Sequence, residues 1–172
     1  MRKLTASDIE LALSGWFHAR TNFVIPNVSW GWRGLSYEID LMVVTPAMCA
    51  YEVEIKVSAG DLRRDAKKYK WNYCKSQRYF KKSYFAMPVG MEKYQDLVPV
   101  HAGILLVGWD EKRHWYDVTE ARPPVVDALA KPVTAAEYAD LGRLCMLRLW
   151  DAKTVIKQHQ WQKESEKVED AG

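Results

Sequence analysis

Two runs of sequence decide the fold: YEIDLMVV at residues 37–44 and CAYEVEIKVS at residues 49–58. In both runs apolar side chains alternate with polar ones, which is typical of a β-strand with one covered face. The Thr-Pro-Ala segment at residues 45–47 predicts a hairpin turn between them. Because side chains two residues apart point the same way, Asp40 on the first strand and Glu54 and Lys56 on the second are expected to share one face.

Upstream of the hairpin, the sequence predicts one helix and one strand. Oxygen-bearing side chains at residues 5–8 can cap free backbone N–H groups, so a first helix is expected over about residues 7–20. Residues 22–28 predict a short strand. The order of elements up to the hairpin is therefore one helix followed by three strands.

Downstream, a basic helix is expected from Ser58 to about Lys75. Two non-alternating apolar runs then predict strands covered on both faces, and weaker signals predict a further hairpin and a helix. These segments are residues 84–89, 102–109, 115–118 and 134–148. We expect a single domain over residues 1–150 and a polar C-terminal helix or tail over residues 151–172.

Composition narrows the class of protein. The 172 residues are 48% hydrophobic, enough for a core, and the formal charge of +3 is only mildly basic. No apolar run could span a membrane, and the first residues lack the apolar stretch of a secretory leader, so we expect a cytoplasmic protein. The three cysteines form no CxxC pair and are expected to be small buried hydrophobes. The glycines form no phosphate-binding loop, so nucleotide-driven activity has no support.

Asp40 and Glu54 predict a metal site. Two carboxylates held close together on one face repel each other unless a cation compensates. Ligation by Asp40, Glu54 and the backbone carbonyl of Ile55 offers only oxygen donors, which suits Mg²⁺ or Mn²⁺ and leaves positions for water and a phosphate oxygen. Glu52 shares this face, but the lysine two residues after Glu54 selects Glu54 as the ligand.

Lys56 and Glu10 are the other predicted catalytic residues. Strand geometry brings the Lys56 ammonium out beside the metal, where it can orient the attacking water and offset charge in a phosphorane-like transition state. Glu10, on the inward half of the first helix, could anchor a metal-bound water or a second metal. The same glutamate could also be a surface acid helped by the helix dipole.

The basic segment after the hairpin predicts contacts with nucleic acid. Its cations could follow a phosphate backbone and its aromatic rings could stack on bases, with Arg64, Lys67, Lys68 and Tyr69 nearest the substrate. An amphipathic helix with aromatic rings in the core and lysines in water fits the same residues. Both interpretations stay open at this point.

The chain resembles the PD-(D/E)xK nuclease superfamily over roughly residues 7–110. The resemblance rests on Asp40, the hairpin, the Glu54-Ile55-Lys56 tripeptide and the helix that follows, and is strongest toward MmcB-type DNA-repair proteins and their phage relatives. It implies an α/β fold with a mixed central β-sheet flanked by helices, a restriction-endonuclease-like core. It also implies that Asp40 and Glu54 are metal ligands, Lys56 the catalytic lysine and Glu10 the acid of the first helix.

Residues and resemblance together predict a Mg²⁺- or Mn²⁺-dependent nuclease that hydrolyses phosphodiester bonds in DNA, in DNA repair, recombination or phage DNA processing. Two alternatives stay open. One is a Holliday-junction resolvase or restriction-type endonuclease, of which a junction enzyme would need a homodimer. The other is a non-catalytic nucleic-acid-binding module on the same fold.

Overall fold

A computed structural model describes residues 2–28, 32–35, 37–65 and 78–169, with side chains for all of these except residues 65 and 163–169. The described chain forms six strands in one sheet and three α-helices. The strands are β1 Phe23–Val28, β2 Ile39–Val44, β3 Ala50–Ile55, β4 Lys82–Pro88, β5 Gly103–Asp110 and β6 Trp115–Arg122. The helices are α1 Ala6–Trp16, α2 Ala59–Asp65 and α3 Ala135–Glu169, with short 3-10 helices at Trp32–Gly34 and Glu92–Leu97.

The strands lie in the sheet in their sequence order, from β1 at one edge to β6 at the other. Neighbours pair antiparallel except at the centre, where β3, β4 and β5 are parallel. Parallel neighbours require a crossover, and α2 belongs to the one between β3 and β4. The predicted mixed central sheet with flanking helices, an α/β fold, is confirmed.

Each face of the sheet contributes to a buried cluster. On one face, Leu41, Val53 and Leu105 pack with Ile9 and Leu13 of α1. The other face carries a second cluster that joins the sheet to α2 and to the segment around the 3-10 helix Glu92–Leu97. This cluster contains Leu62, Phe85, Met87, Met91, Val98, Ala102, Ile104 and Leu106. The side chains of Asp40, Glu54 and Lys56 belong to this second face, since they alternate with residues of the first.

Helix α1 starts where the sequence predicts and ends earlier. Thr5 caps it: the Asp8 backbone N–H donates to the Thr5 hydroxyl oxygen, and the Asp8 carboxylate accepts the Thr5 backbone N–H. The helix ends at Trp16 instead of residue 20 because His18 has a left-handed backbone, with φ of 50°. A residue in that region cannot continue a right-handed helix.

The chain divides into two compact units, residues 1–133 and 134–172. The domain bounds expected from the sequence, residues 1–150 and 151–172, stay a prediction, and residue 150 falls inside α3. As far as the structure describes it, the second unit is this one helix, which begins with a capping box. The Thr134 hydroxyl accepts the Glu137 N–H, and the Glu137 carboxylate accepts the Thr134 N–H. No proline interrupts the helix, so its polar second half continues the first.

None of the helices in the described part of the chain combines the length and the apolar character needed to cross a membrane. The cysteines differ from expectation. Cys49 and Cys145 are free and partly exposed, and Cys74 lies outside the described residues. Partial burial raises the pKa of the Cys145 thiol above its usual value.

Candidate active site

The candidate site lies where β2 and β3 stop pairing. The last pair of residues between the two strands is Leu41 with Val53. Asp40 precedes Leu41 on β2, and its carboxylate accepts the backbone N–H of Ile55 on β3, with 2.8 Å between Ile55 N and Asp40 Oδ2. The carboxylate thus takes the place of a main-chain carbonyl at the end of the ladder. This contact holds Asp40 against the strand that carries Glu54 and Lys56.

Lys56 lies between the two carboxylates. Its Nζ is 2.8 Å from Glu54 Oε2 and 3.7 Å from Asp40 Oδ2. The Glu54 side chain is 2% exposed and that of Lys56 10%, whereas that of Asp40 is 34% exposed. The site is therefore a buried Glu54–Lys56 ion pair next to Asp40, whose carboxylate is partly exposed to solvent. The ammonium offsets the repulsion that two neighbouring carboxylates would otherwise feel.

The backbone around Lys56 is fixed by its neighbours. The Lys56 N–H donates to the Ala86 carbonyl at 2.9 Å, so the alignment of β3 with β4 continues past the point where β2 has separated. Two residues later, Ser58 Oγ accepts the Asp61 N–H at 3.1 Å and opens α2. Leu62 of α2 is fully buried and anchors the helix on this face of the sheet. The lysine is thereby held at a strand end between two fixed elements.

The donor atoms at this site are hard oxygens. Asp40 and Glu54 offer carboxylates, and the Ile55 carbonyl leaves its strand on the same side as the Ile55 N–H, toward Asp40. This donor set suits a divalent cation of the Mg²⁺ class. Among the described residues, no three His, Cys, Asp or Glu side chains are grouped closely enough to hold a metal. The fit therefore rests on two carboxylates and one carbonyl.

Glu10 lies on α1. It lines a hollow of about 260 Å³ between α1 and the strands β1 and β2, together with Ser14, Val24 and Leu41. Leu41 belongs to the face covered by α1, opposite to that of Asp40. The structure brings Lys56 Nζ within 3.7 Å of Asp40 and Glu54, and the role of Glu10 at the metal stays a prediction.

Of the four residues predicted to contact nucleic acid, only Arg64 is described. It is exposed on α2 and paired with Asp61. Lys67, Lys68 and Tyr69 lie outside the described residues. The guanidinium of the neighbouring Arg63 lies 5.3 Å from the centre of the Tyr94 ring.

Sequence reasoning missed how deeply the Glu52 side chain is buried. The lysine spacing favours Glu54 over Glu52 as a ligand, yet Glu52 is 0% exposed. Alternation assigns Glu52, Glu54 and Lys56 to one face, but it does not tell which parts of that face are covered. The signal that was available is composition: the residues between these polar positions are all strong β-formers, as in a central strand.

Comparisons with known proteins show the fold. No family model matches the sequence, and no curated protein matches it. Among solved structures, the SPO1766 protein of unknown function from Silicibacter pomeroyi superposes with a TM-score of 0.60. The two sequences are 18% identical, and the match covers 89% of this chain and 92% of that one. The chain thus has the architecture of a known but functionally uncharacterised structure.

Proposed function

We propose that this protein is a Mg²⁺- or Mn²⁺-dependent DNA phosphodiesterase of the PD-(D/E)xK type. One observation carries the proposal: Lys56 Nζ is held within 3.7 Å of both Asp40 and Glu54 where two strands separate. A lysine beside two carboxylates, one of them partly exposed to solvent, fits the hydrolysis of a phosphodiester better than it fits a purely structural ion pair in the core. A buried ion pair contributes little to the free energy of folding and can even oppose it, so stability alone is a weak reason for these charges to be buried.

Each residue has a role in this proposal. Asp40, Glu54 and the Ile55 carbonyl would hold the divalent cation, which would lower the pKa of a water ligand and polarise the phosphoryl oxygen. With the carboxylates so engaged, the Lys56 ammonium would orient the attacking water and offset negative charge on the phosphorus oxygens. Water adds to phosphorus, and the bond from phosphorus to the leaving sugar oxygen breaks.

The substrate surface in this proposal is α2 and the chain that follows it. Arg64, Lys67, Lys68 and Tyr69 would contact the DNA backbone and bases. The biological setting we propose is DNA repair, recombination or phage DNA processing in the cytoplasm. A homodimer would be needed only for a junction-specific enzyme.

The test is cleavage of single-stranded, duplex, flapped and junction DNA with Mg²⁺ or Mn²⁺. Lys56→Ala and Asp40→Asn should each reduce the rate by a factor of about 100 or more, the usual effect of losing a group that stabilises the transition state. Glu38→Gln is the matched control, since Glu38 is exposed two residues before Asp40. Symmetric nicks in a junction would identify a resolvase. DNA binding without cleavage under all conditions would replace the nuclease proposal with a binding module.

Metal binding can be measured separately from turnover. Titration calorimetry with Mn²⁺ should show one site that weakens in Asp40→Asn and in Glu54→Gln and is unchanged in Glu10→Gln. Loss of the site in Glu10→Gln would instead assign Glu10 to the metal. Absence of any Mn²⁺ binding by the wild type would contradict the proposed cofactor.

A further inference from the structure

The second half of α3 exposes two tryptophans within a basic segment. Trp150 is 59% exposed and Trp161 is 55% exposed, although tryptophan is highly buried on average in folded proteins. Residues 152–163 contain three lysines and no aspartate or glutamate. This part of the helix therefore combines exposed aromatic rings with a run of positive formal charge.

Helical spacing brings these side chains to one face of α3. Lys153 follows Trp150 by three residues, so the two are neighbours on the helix surface. Lys157 follows Trp150 by seven residues and precedes Trp161 by four, so these three also share one side of the helix. The Lys153 Nζ lies 5.1 Å from the centre of the Trp150 ring. The Lys157 Nζ lies 5.7 Å from the centre of the Trp161 ring, and the two tryptophans are about 16 Å apart along the helix axis.

The chemistry of this face matches a single strand of nucleic acid. Unpaired bases stack on exposed aromatic rings whatever their sequence, and ammonium groups beside the rings can contact the phosphates between those bases. In a duplex the bases already stack on one another, so the rings would gain no partner there. The distance between the two tryptophans corresponds to a few nucleotides of extended strand.

An anionic membrane surface also attracts lysine and tryptophan, but it requires a helix whose apolar side chains lie together on one face. In α3 the exposed Val155 and Ile156 follow Trp150 by five and six residues, which puts them on the other side of the helix. The exposed apolar side chains thus spread around the helix. This arrangement favours nucleic acid over lipid as the partner of the basic face.

We propose that the face of α3 formed by Trp150, Lys153, Lys157 and Trp161 binds single-stranded DNA. The two rings stack on bases, and the two ammonium groups contact phosphates. Because α3 belongs to the same chain as the candidate active site, a strand bound here stays tethered to that site. This role in holding the substrate rests on the proposed nuclease function, whereas binding of the strand does not.

The experiment is fluorescence anisotropy of a labelled oligothymidylate with the full chain, in EDTA so that no cleavage occurs. Trp150→Ala and Trp161→Ala should each weaken binding by a factor of about 10, and Trp150→Phe, which keeps a ring, should retain most of the affinity. Trp115→Ala is the matched control, since Trp115 is an equally exposed tryptophan on β6, and it should change nothing. Lys153→Ala and Lys157→Ala should each reduce the slope of log affinity against log salt concentration by about 0.7.

No binding of the oligothymidylate, or binding that both tryptophan-to-alanine variants on α3 leave unchanged, would overturn the proposal. So would equal affinity for a duplex of the same length, tighter binding of an oligouridylate, or binding to vesicles with anionic lipid in place of the oligonucleotide.

Two variants separate this proposal from the nuclease proposal. Asp40→Asn should impair cleavage and leave binding of the strand intact. When single-stranded DNA is cleaved with Mn²⁺, Trp150→Ala should raise KM more than it lowers kcat. A protein that binds the strand through these rings and cleaves no DNA would keep this inference and remove the nuclease proposal.

Discussion

The Glu54–Lys56 ion pair is the least exposed charge pair of the candidate site, and the lysine compensates a carboxylate that has almost no access to water. Removing one partner of a buried pair leaves the other charge without compensation, a loss that usually costs about 3 to 5 kcal/mol. In the absence of divalent ions, Lys56→Met should therefore lower the free energy of unfolding by about 3 kcal/mol. Urea unfolding measures this directly.

The same variant distinguishes a metal site from a purely structural ion pair. Mn²⁺ would stabilise only a fold that binds it, so it should recover part of the loss in Lys56→Met. Lys112→Met is the control and should match the wild type with and without Mn²⁺. A Lys56→Met protein as stable as the wild type without metal would contradict this account of the pair.

Asp8 predicts how stability depends on pH. The Tyr116 hydroxyl, the Thr5 backbone N–H and the Thr5 hydroxyl all donate to its carboxylate, whose pKa they lower from 3.8 to about 2. Since the folded pKa lies below the unfolded one, Asp8 stabilises the fold above about pH 4, and this contribution is lost as pH falls toward 2. The gap in unfolding free energy between wild type and Asp8→Asn should narrow over that window. A difference in unfolding free energy that stays constant between about pH 4 and 2 would contradict the proposed contribution of Asp8.

At the scale of elements, the absence of a side chain at Gly103 of β5 lets the Tyr84 ring of β4 lie close to the backbone. A Cβ at this position would lie 2.7 Å from Cδ1 of the buried Tyr84 ring and 3.0 Å from Cδ of Pro124. Gly103→Ala should therefore destabilise the protein by about 1 to 3 kcal/mol through overpacking. Gly15, in α1, has open space around its missing Cβ, so Gly15→Ala should stabilise by up to about 1 kcal/mol. Urea unfolding of both variants measures these changes in the free energy of unfolding. Equal changes in the two variants would contradict the prediction.

The elements also show what the sequence could and could not predict. Period-two alternation over residues 37–44 and 49–58 predicted the hairpin and the shared face of Asp40 and Glu54, because local pattern determines side-chain direction. The end of α1 was missed, since it depends on the left-handed backbone of His18. The length of α3 was missed because a polar helix lacks an amphipathic period. The hydrogen bond from Ile55 to Asp40 depends on where two strands separate, which no local pattern encodes.

At the scale of the whole molecule, residues 1–133 contain both buried clusters of the sheet and the entire candidate site. The Arg33 guanidinium donates to the carbonyls of Tyr79, Lys131 and Pro132, so the last residues of this unit are fastened to its body. A chain ending at Thr134 should therefore unfold cooperatively and still bind Mn²⁺. Limited proteolysis of the full chain should remove residues from the second unit first. If the truncated chain no longer unfolded cooperatively, residues 1–133 would not be an independent unit.

The contact between Asp40 and Ile55 gives the site its own spectroscopic reporter. The Ile55 main-chain amide donates to a carboxylate that the proposed chemistry also requires as a ligand. Its proton resonance and its rate of exchange with deuterium should therefore respond to any change in the charge of Asp40, whether by protonation, substitution or coordination of a cation. The occupancy of the site can then be followed in the intact protein at one backbone position, without substrate and without turnover.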